Sequence, residues 1–107
     1  MKKLVLLFSF LAFISCGNSE PDEDDAKQAA RAAIIHNLKD PKSATFHHNE
    51  VVYDLGYNTY QYTETIGAKN SFGGVITQNA IVKVKWLKDD PSKVANWSVL
   101  DIKFIER

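Results

Sequence analysis

Thr59-Tyr60-Gln61-Tyr62-Thr63-Glu64-Thr65-Ile66-Gly67-Ala68-Lys69 alternates without a break. Successive side chains of an extended strand point to opposite faces. Tyr60, Tyr62, Glu64, Ile66 and Ala68 therefore share one face, and Thr59, Gln61, Thr63, Thr65 and Gly67 share the other. Aromatic and β-branched side chains suit a half-buried pleated surface, so the stretch predicts a strand. Upstream, Gly56-Tyr57-Asn58 reads as a turn, joining it to a strand run over about 47–55 that contains Val51, Val52, Tyr53 and Leu55. Downstream, Asn70-Ser71-Phe72-Gly73-Gly74 interrupts the pattern. A third run, about 75–87, sets Ala80, Val82, Val84 and Trp86 against Ile81, Lys83 and Lys85. Lys88 to Lys93 reads as a hairpin loop. The last run, about 96–105, sends Ser98, Leu100, Ile102 and Phe104 one way and Trp97, Val99, Asp101 and Lys103 the other.

Ahead of the strands the period changes. Ala26, Ala30, Ala33, Ile34 and Leu38 recur at spacings of three and four, which gives a helix over 25–39 one apolar face. Asp24 or Asp25 can cap it, and acidic residues at its start complement the positive end of the helix dipole. Lys27, Arg31 and Lys39 are expected to reach solvent beside that face. Asp40-Pro41 ends the helix, because a residue before proline avoids the α region. One helix followed by four sequential strands with short connections predicts an α+β domain, a helix packed on a four-stranded antiparallel meander. Phe46 is expected to plug its core. Residues 26–107 form this single domain, small enough that its core is small too.

The first 25 residues read differently. Lys2 and Lys3 precede Leu4–Ile14, an apolar run broken only by Ser9, and then Ser15 and Cys16, the chain's only cysteine. As a helix the apolar run rises roughly 16 Å, short of a hydrocarbon core of about 30 Å, so a cleaved signal peptide over 1–15 fits better than a membrane span. Phe13-Ile14-Ser15-Cys16 resembles the bacterial lipobox, with Phe13 in place of the usual Leu and Ile14 larger than the usual Ser or Ala. The resemblance implies a diacylglyceryl thioether on Cys16, cleavage before it, and an exported, membrane-anchored lipoprotein bearing acyl chains such as palmitate. Two or three chains give stable membrane residence where one gives only marginal binding. The plainer alternative is a secretory signal followed by a free thiol. An intrachain disulfide is impossible with one cysteine.

Residues 16–25 read as an acidic tether, with Glu20, Asp22, Glu23, Asp24 and Asp25 putting five negative charges in six positions. Acidic residues shortly after a lipidated cysteine resemble surface-export signals of some Gram-negative lipoproteins, and Gly17 does not resemble an inner-membrane retention Asp; an outer-membrane location follows as an expectation. From Ala26 onward the chain has 11 basic residues (all 13 less Lys2 and Lys3) and 8 acidic ones. That balance is too weak to argue for nucleic acid.

Two further segments carry a second resemblance. Leu38-Lys39-Asp40-Pro41-Lys42-Ser43-Ala44-Thr45-Phe46 and Ile66-Gly67-Ala68-Lys69-Asn70-Ser71-Phe72-Gly73-Gly74 are similar to motifs of small uncharacterised exported bacterial and phage-related domains. In those a helix ends in Leu-Lys-Asp-Pro-x-Ser-Ala-x-Phe and a Val-Asn-Ala-Lys-Asn-Ser-x-Gly-Gly segment lies in the sheet. Ile66 and Gly67 depart from the second motif's first two positions. The resemblance implies a fold and no activity.

Chemistry-bearing residues are sparse. His36, His47 and His48 lack the partners of a metal set, so surface or edge histidines and no metal are expected. Ser, His and Asp occur without a nucleophile elbow. The Asn70–Gly74 loop has no following Lys and opens no helix, which argues against phosphate binding. Glu64 is either at a sheet rim or a buried carboxylate paired with a Lys. Gly73 and Gly74 permit positive φ at a tight bend, and Phe72 is either a core contact or an exposed anchor for a partner. Lys83, Lys85 and Lys103, interleaved with Ile81, Trp97 and Val99, form a basic-aromatic face, either simply solvated or a docking surface for an acidic protein, glycan or lipid headgroup. The sequence thus predicts a lipid-anchored, non-enzymatic binding or inhibitor/immunity-like module without cofactor, held to the membrane through Cys16 and engaging a protein partner. The alternative is a structural accessory subunit of an envelope complex.

Overall fold

The structure is a computed structural model and describes residues 20–107. The expected signal peptide, Cys16 and the first part of the tether lie outside the described residues. Helix α1 spans Glu23–His36. Strands follow as β1 Thr45–Phe46, β2 Val51–Gly56, β3 Thr59–Lys69, β4 Val75–Trp86 and β5 Trp97–Glu106, with short 3-10 turns at Pro41–Ser43 and Val94–Asn96. All pairings are antiparallel, in the order β1-β3-β4-β5, and β2 also pairs with β3. The chain is therefore α+β as expected, with five strands rather than four.

The extra strand comes from a break in the predicted 47–55 run. β1 pairs at Gly67 and Ile66, β2 at Thr63 to Thr59, and both line the same edge of β3. Between them the His47 N–H still donates to the Thr65 carbonyl at 3.1 Å, and the chain then leaves the ladder over 48–50, with His48 at φ +60°. Side chains replace the missing backbone partners there: the Thr65 N–H donates to Asn49 Oδ1 at 3.0 Å, and the His48 N–H to Glu64 Oε2 at 2.8 Å. The four consecutive polar residues His47-His48-Asn49-Glu50 mark the break in the sequence, where the predicted run takes them as the start of one strand.

Helix α1 also begins earlier than predicted. Asp22, not Asp24 or Asp25, is the N-cap; its carboxylate accepts from the Asp25 N–H at 2.9 Å, and Asp25 accepts from the Asp22 N–H at 3.1 Å. This reciprocal pair satisfies two of the helix's unpaired donors. Four of the five acidic residues assigned to the tether thus belong to the cap and first turn, where they meet the positive end of the dipole. Tyr60 donates to the Pro21 carbonyl at 3.1 Å and ties this start to the sheet.

The core lies between α1 and one sheet face. Ala26, Ala30, Ala33 and Ile34 pack on Tyr60, Tyr62, Ile66, Ala80, Val82, Val84 and Trp97. The alanines let the helix axis approach closely. Each larger aliphatic side chain that is fully buried, such as Ile34 or Val82, contributes about 1.5–3 kcal/mol. Phe46 is half-buried against this cluster.

The alternation predicted for β5 fails at one point. Asp101 pairs with Lys83, yet Val99 pairs with Val84, leaving Leu100 as an extra residue. Such a bulge shifts the phase of every side chain beyond it. Trp97 consequently turns to the helix side, 8% exposed, with its ring 5.8 Å from that of Tyr60 and its indole N–H on the Pro91 carbonyl at 2.7 Å. Leu100, expected in the core, is 51% exposed.

Candidate functional site

Three places concentrate polar or exposed chemistry. The first is buried. Tyr62 and Glu64 lie two residues apart on β3, on the face that α1 covers, and Arg31 reaches down from the helix to meet them. Arg31 donates from Nε to Tyr62 Oη at 3.0 Å and to Glu64 Oε1 at 3.1 Å, and from Nη2 to Glu64 Oε2 at 2.9 Å. The Tyr62 hydroxyl also donates to Glu64. With the His48 N–H on Oε2, both carboxylate oxygens are fully engaged, and the Glu64 side chain is 0% exposed. The Arg31 guanidinium lies over the Phe46 ring at 4.4 Å, a cation–π contact. Beside it Lys27 meets Glu50 at 2.7 Å.

Arg31 was expected in solvent, and Glu64 either at a sheet rim or buried beside a Lys; Glu64 is buried, and its partner is Arg31. Burial, then the hydrogen bond to Glu64, push the Tyr62 hydroxyl well above the usual phenol range. The Lys27 hydrogen bond holds the Glu50 carboxyl below the usual carboxylate range. His48, Glu50 and Glu64 present ligand-type atoms within 4.8 Å of one another. Arg31 and Lys27 already neutralise the two carboxylates, so a divalent cation there would compete with two fixed positive charges. The arrangement suits a clamp between helix and sheet better than proton transfer, since Tyr62 holds its proton tightly and Glu64 has no free lone-pair direction.

The second place is the β3–β4 turn. Asn70 organises it: its N–H donates to the Gly74 carbonyl at 2.8 Å, and its Oδ1 accepts from the N–H groups of Phe72 at 2.9 Å and Gly74 at 3.0 Å. The Gly73 N–H closes on the Asn70 carbonyl at 3.1 Å, with Gly73 at φ +85°. Phe72 stands on this scaffold 96% exposed. Next to it runs an apolar groove of about 200 Å³ between the end of α1 and the β3–β4 ribbon, floored by Leu38, Ala68, Ile76 and Phe104 and bounded by Asn70.

The third place is the sheet face turned away from α1. Lys83 and Lys85 are half-buried there and Lys103 is exposed. Register sets Lys83 opposite Asp101 and Ile81 opposite Lys103. Trp97 and Val99 leave this face, Trp97 for the core and Val99 to pair with Val84. What remains is basic and polar rather than basic-aromatic. Toward β2 it holds a shallow concavity of about 260 Å³ whose floor is a hydrogen-bonded chain, Asn49 to Thr65 at 2.8 Å and Thr65 to Asn79 at 3.1 Å. His36, His47 and His48 are all exposed. Among the described residues no helix is long and apolar enough to cross a membrane.

No protein-family model, curated protein or solved structure matches this chain. The site must therefore be read from its own chemistry. Sequence reasoning missed Arg31 as a buried partner. One signal was present: Arg31 lies one residue from Ala30 and three from Ile34, at the border of the apolar face, and the only carboxylate on the buried strand face is Glu64.

Proposed function

We propose that the chain is a lipid-anchored protein of the bacterial envelope, exported by residues 1–15, acylated at Cys16 and held at the outer membrane, whose globular part binds a protein partner without catalysing a reaction. The observation that carries the reading is Phe72. A large apolar side chain 96% exposed on a turn held by four hydrogen bonds is already ordered before it meets anything. An aromatic anchor with little entropy left to lose is what binding hot spots use. The apolar groove bounded by Asn70 extends the same end of the molecule, and Lys83, Lys85 and Lys103 add a positive face for an acidic rim on the partner. An inhibitor or immunity-like role is one form of this activity. The Arg31–Tyr62–Glu64 cluster supports the non-enzymatic reading, because both Glu64 oxygens are taken up by donors of the chain itself.

The anchor is tested by metabolic labelling with palmitate, which should mark the full chain and not Cys16→Ala. Binding is tested by placing a photo-crosslinking residue at Ser71 and comparing the adducts of the otherwise unaltered chain with those of Phe72→Ala and of Lys83→Glu/Lys85→Glu. A discrete adduct lost in Phe72→Ala supports the reading; an adduct pattern indifferent to both variants refutes it. Recovery of the chain only within one large assembly would favour the accessory-subunit role.

A further inference from the structure

Strand β5 ends the sheet, and among the described residues nothing pairs with its outer edge. The Arg107 N–H donates to the Thr77 carbonyl at 3.1 Å, which fixes the phase of the β4–β5 ladder. Antiparallel partners alternate in the direction of their backbone groups. Arg107, Ile105, Lys103 and Asp101 therefore turn theirs to β4, and Ile102, Phe104 and Glu106 turn theirs outward. A row of free donors and acceptors of this kind is a template for another strand.

The side chains along this edge specify which strand. Leu100-Asp101-Ile102-Lys103-Phe104 is complementary to its own reverse: apolar, acidic, apolar, basic, apolar, so that reversal exchanges the acidic and basic positions and leaves the apolar ones apolar. Pair two copies antiparallel about a two-fold axis through Ile102. Asp101 then meets Lys103 twice and Ile102 meets itself, while Leu100, the bulged residue at the end of the paired segment, lies beside Phe104. The faces agree as well. Ile102 and Phe104 pair with Val82 and Ala80 on the helix side, whereas Asp101 and Lys103 pair with Lys83 and Ile81 on the other. Leu100 and Val99, 51% and 47% exposed, supply the apolar rim that a second copy would cover. Moving the axis by one residue sets Lys103 against Lys103 or Asp101 against Asp101, which repel. The opposite edge of the sheet lacks this property: an axis through Tyr53 in β2 sets Val52 against Asp54.

We propose that two copies of this chain join β5 to β5, antiparallel and in register about Ile102, so that their sheets become one. The new surface is independent of the Phe72 turn, which lies on the β3–β4 connection.

Cysteine placement reads the register directly. In this pairing position 101 of one copy lies opposite 103 of the other as a close, non-hydrogen-bonded pair, whereas 101 to 101 and 103 to 103 are diagonal neighbours about 7–8 Å apart, beyond the reach of a disulfide. Asp101→Cys and Lys103→Cys are exposed substitutions that leave the core intact. Full-length chains bearing either one, with two different tags, are co-expressed in bacterial cells and oxidised, and the unaltered chain gives the background from Cys16. The mixed pair should cross-link about tenfold more than either like pair, as the distances require. A second measurement uses Ile102→Cys, which should self-link on the axis, lose the link when Lys103→Asp is added, and regain it with Asp101→Lys. Equal cross-linking in mixed and like pairs, or a link to a different protein in place of the second copy, overturns the proposal.

Discussion

Replacing Arg31 by Met should be the most damaging single exchange of a charged residue in this protein. The substitution keeps much of the stem's volume but removes three hydrogen bonds, two of them on Glu64, and the cation over Phe46. Glu64 stays at zero exposure with only the Tyr62 hydroxyl and the His48 N–H for company. Removing one partner of a buried pair costs about 3–5 kcal/mol, because the remaining charge is left uncompensated. A domain of this size has about 5–15 kcal/mol in all, and each kcal/mol moves its melting point by about 4–8 °C. Glu64→Gln alone keeps one acceptor oxygen, for Arg31 Nε and the Tyr62 hydroxyl, but turns its NH2 toward the Arg31 Nη2 and His48 donors, and should cost about 1.5–3 kcal/mol. The double variant should then be more stable than Arg31→Met alone, since the stranded charge is gone, with a coupling of about 1–3 kcal/mol. Urea unfolding of the chain from residue 16 with Cys16→Ser, followed by the fluorescence of buried Trp97, measures all four corners of the cycle. A loss below about 1 kcal/mol for Arg31→Met, or strictly additive effects, would refute the view of Arg31–Glu64 as the clamp between helix and sheet.

Three further outcomes follow from the same contacts. Asp22→Ala removes the cap of α1 and should cost about 0.5–2 kcal/mol in the same urea assay, whereas Glu20→Ala, outside the cap, should leave the midpoint unchanged. Trp97→Ala should cost about 3–5 kcal/mol, the loss of a core aromatic and its bond to Pro91; a stable Trp97→Ala chain that merely binds less would return Trp97 to the surface. The Glu50 carboxyl is held low by Lys27, so the stability it contributes is present above the unfolded carboxylate range near pH 4.3 and lost as pH falls through its lower folded value. Melting points taken from pH 6 down to pH 3 should therefore fall more steeply for the native chain than for Lys27→Met.

Much of the fold was legible because alternation and helical spacing report burial directly. The β3 face of Tyr60, Tyr62, Glu64, Ile66 and Ala68 is buried as its pattern requires, and β4 follows suit with Ala80, Val82 and Val84. The errors fall where a period slips and one phase is carried across the slip. A bulge at Leu100 reverses the phase of β5, and the apolar doublet Val99-Leu100 is its one trace in the sequence; with the Leu100–Phe104 phase carried back through that doublet, Trp97 passed for a surface residue. The break at His47–Glu50 coincides with four consecutive polar residues, but what holds it, Asn49 on Thr65 and Glu64 on His48, depends on a strand pairing that tertiary structure sets. Arg31 shows the limit in a third way. Lys and Arg beside an apolar stripe usually extend to solvent, and only the carboxylate beneath it turns this one inward.

The buried network also explains why the edge strand is broken where it is. Glu64 needs donors on both oxygens, and α1 supplies them from one side only. An unbroken first strand would offer β3 regular backbone pairing but would give this carboxylate no extra N–H. By leaving the ladder after His47, the chain releases the His48 N–H to Glu64 and the Asn49 side chain to Thr65, so two adjacent residues of β3 take their partners from one loop. Phe46, at the end of β1, is thereby placed under the Arg31 guanidinium. Helix, loop and strand converge on one carboxylate, and its replacement by Leu should loosen all three together. Hydrogen exchange of the His48 and Thr65 amides in Glu64→Leu should accelerate alongside the amides of α1; acceleration confined to His48 would mean that the loop and the helix are held separately.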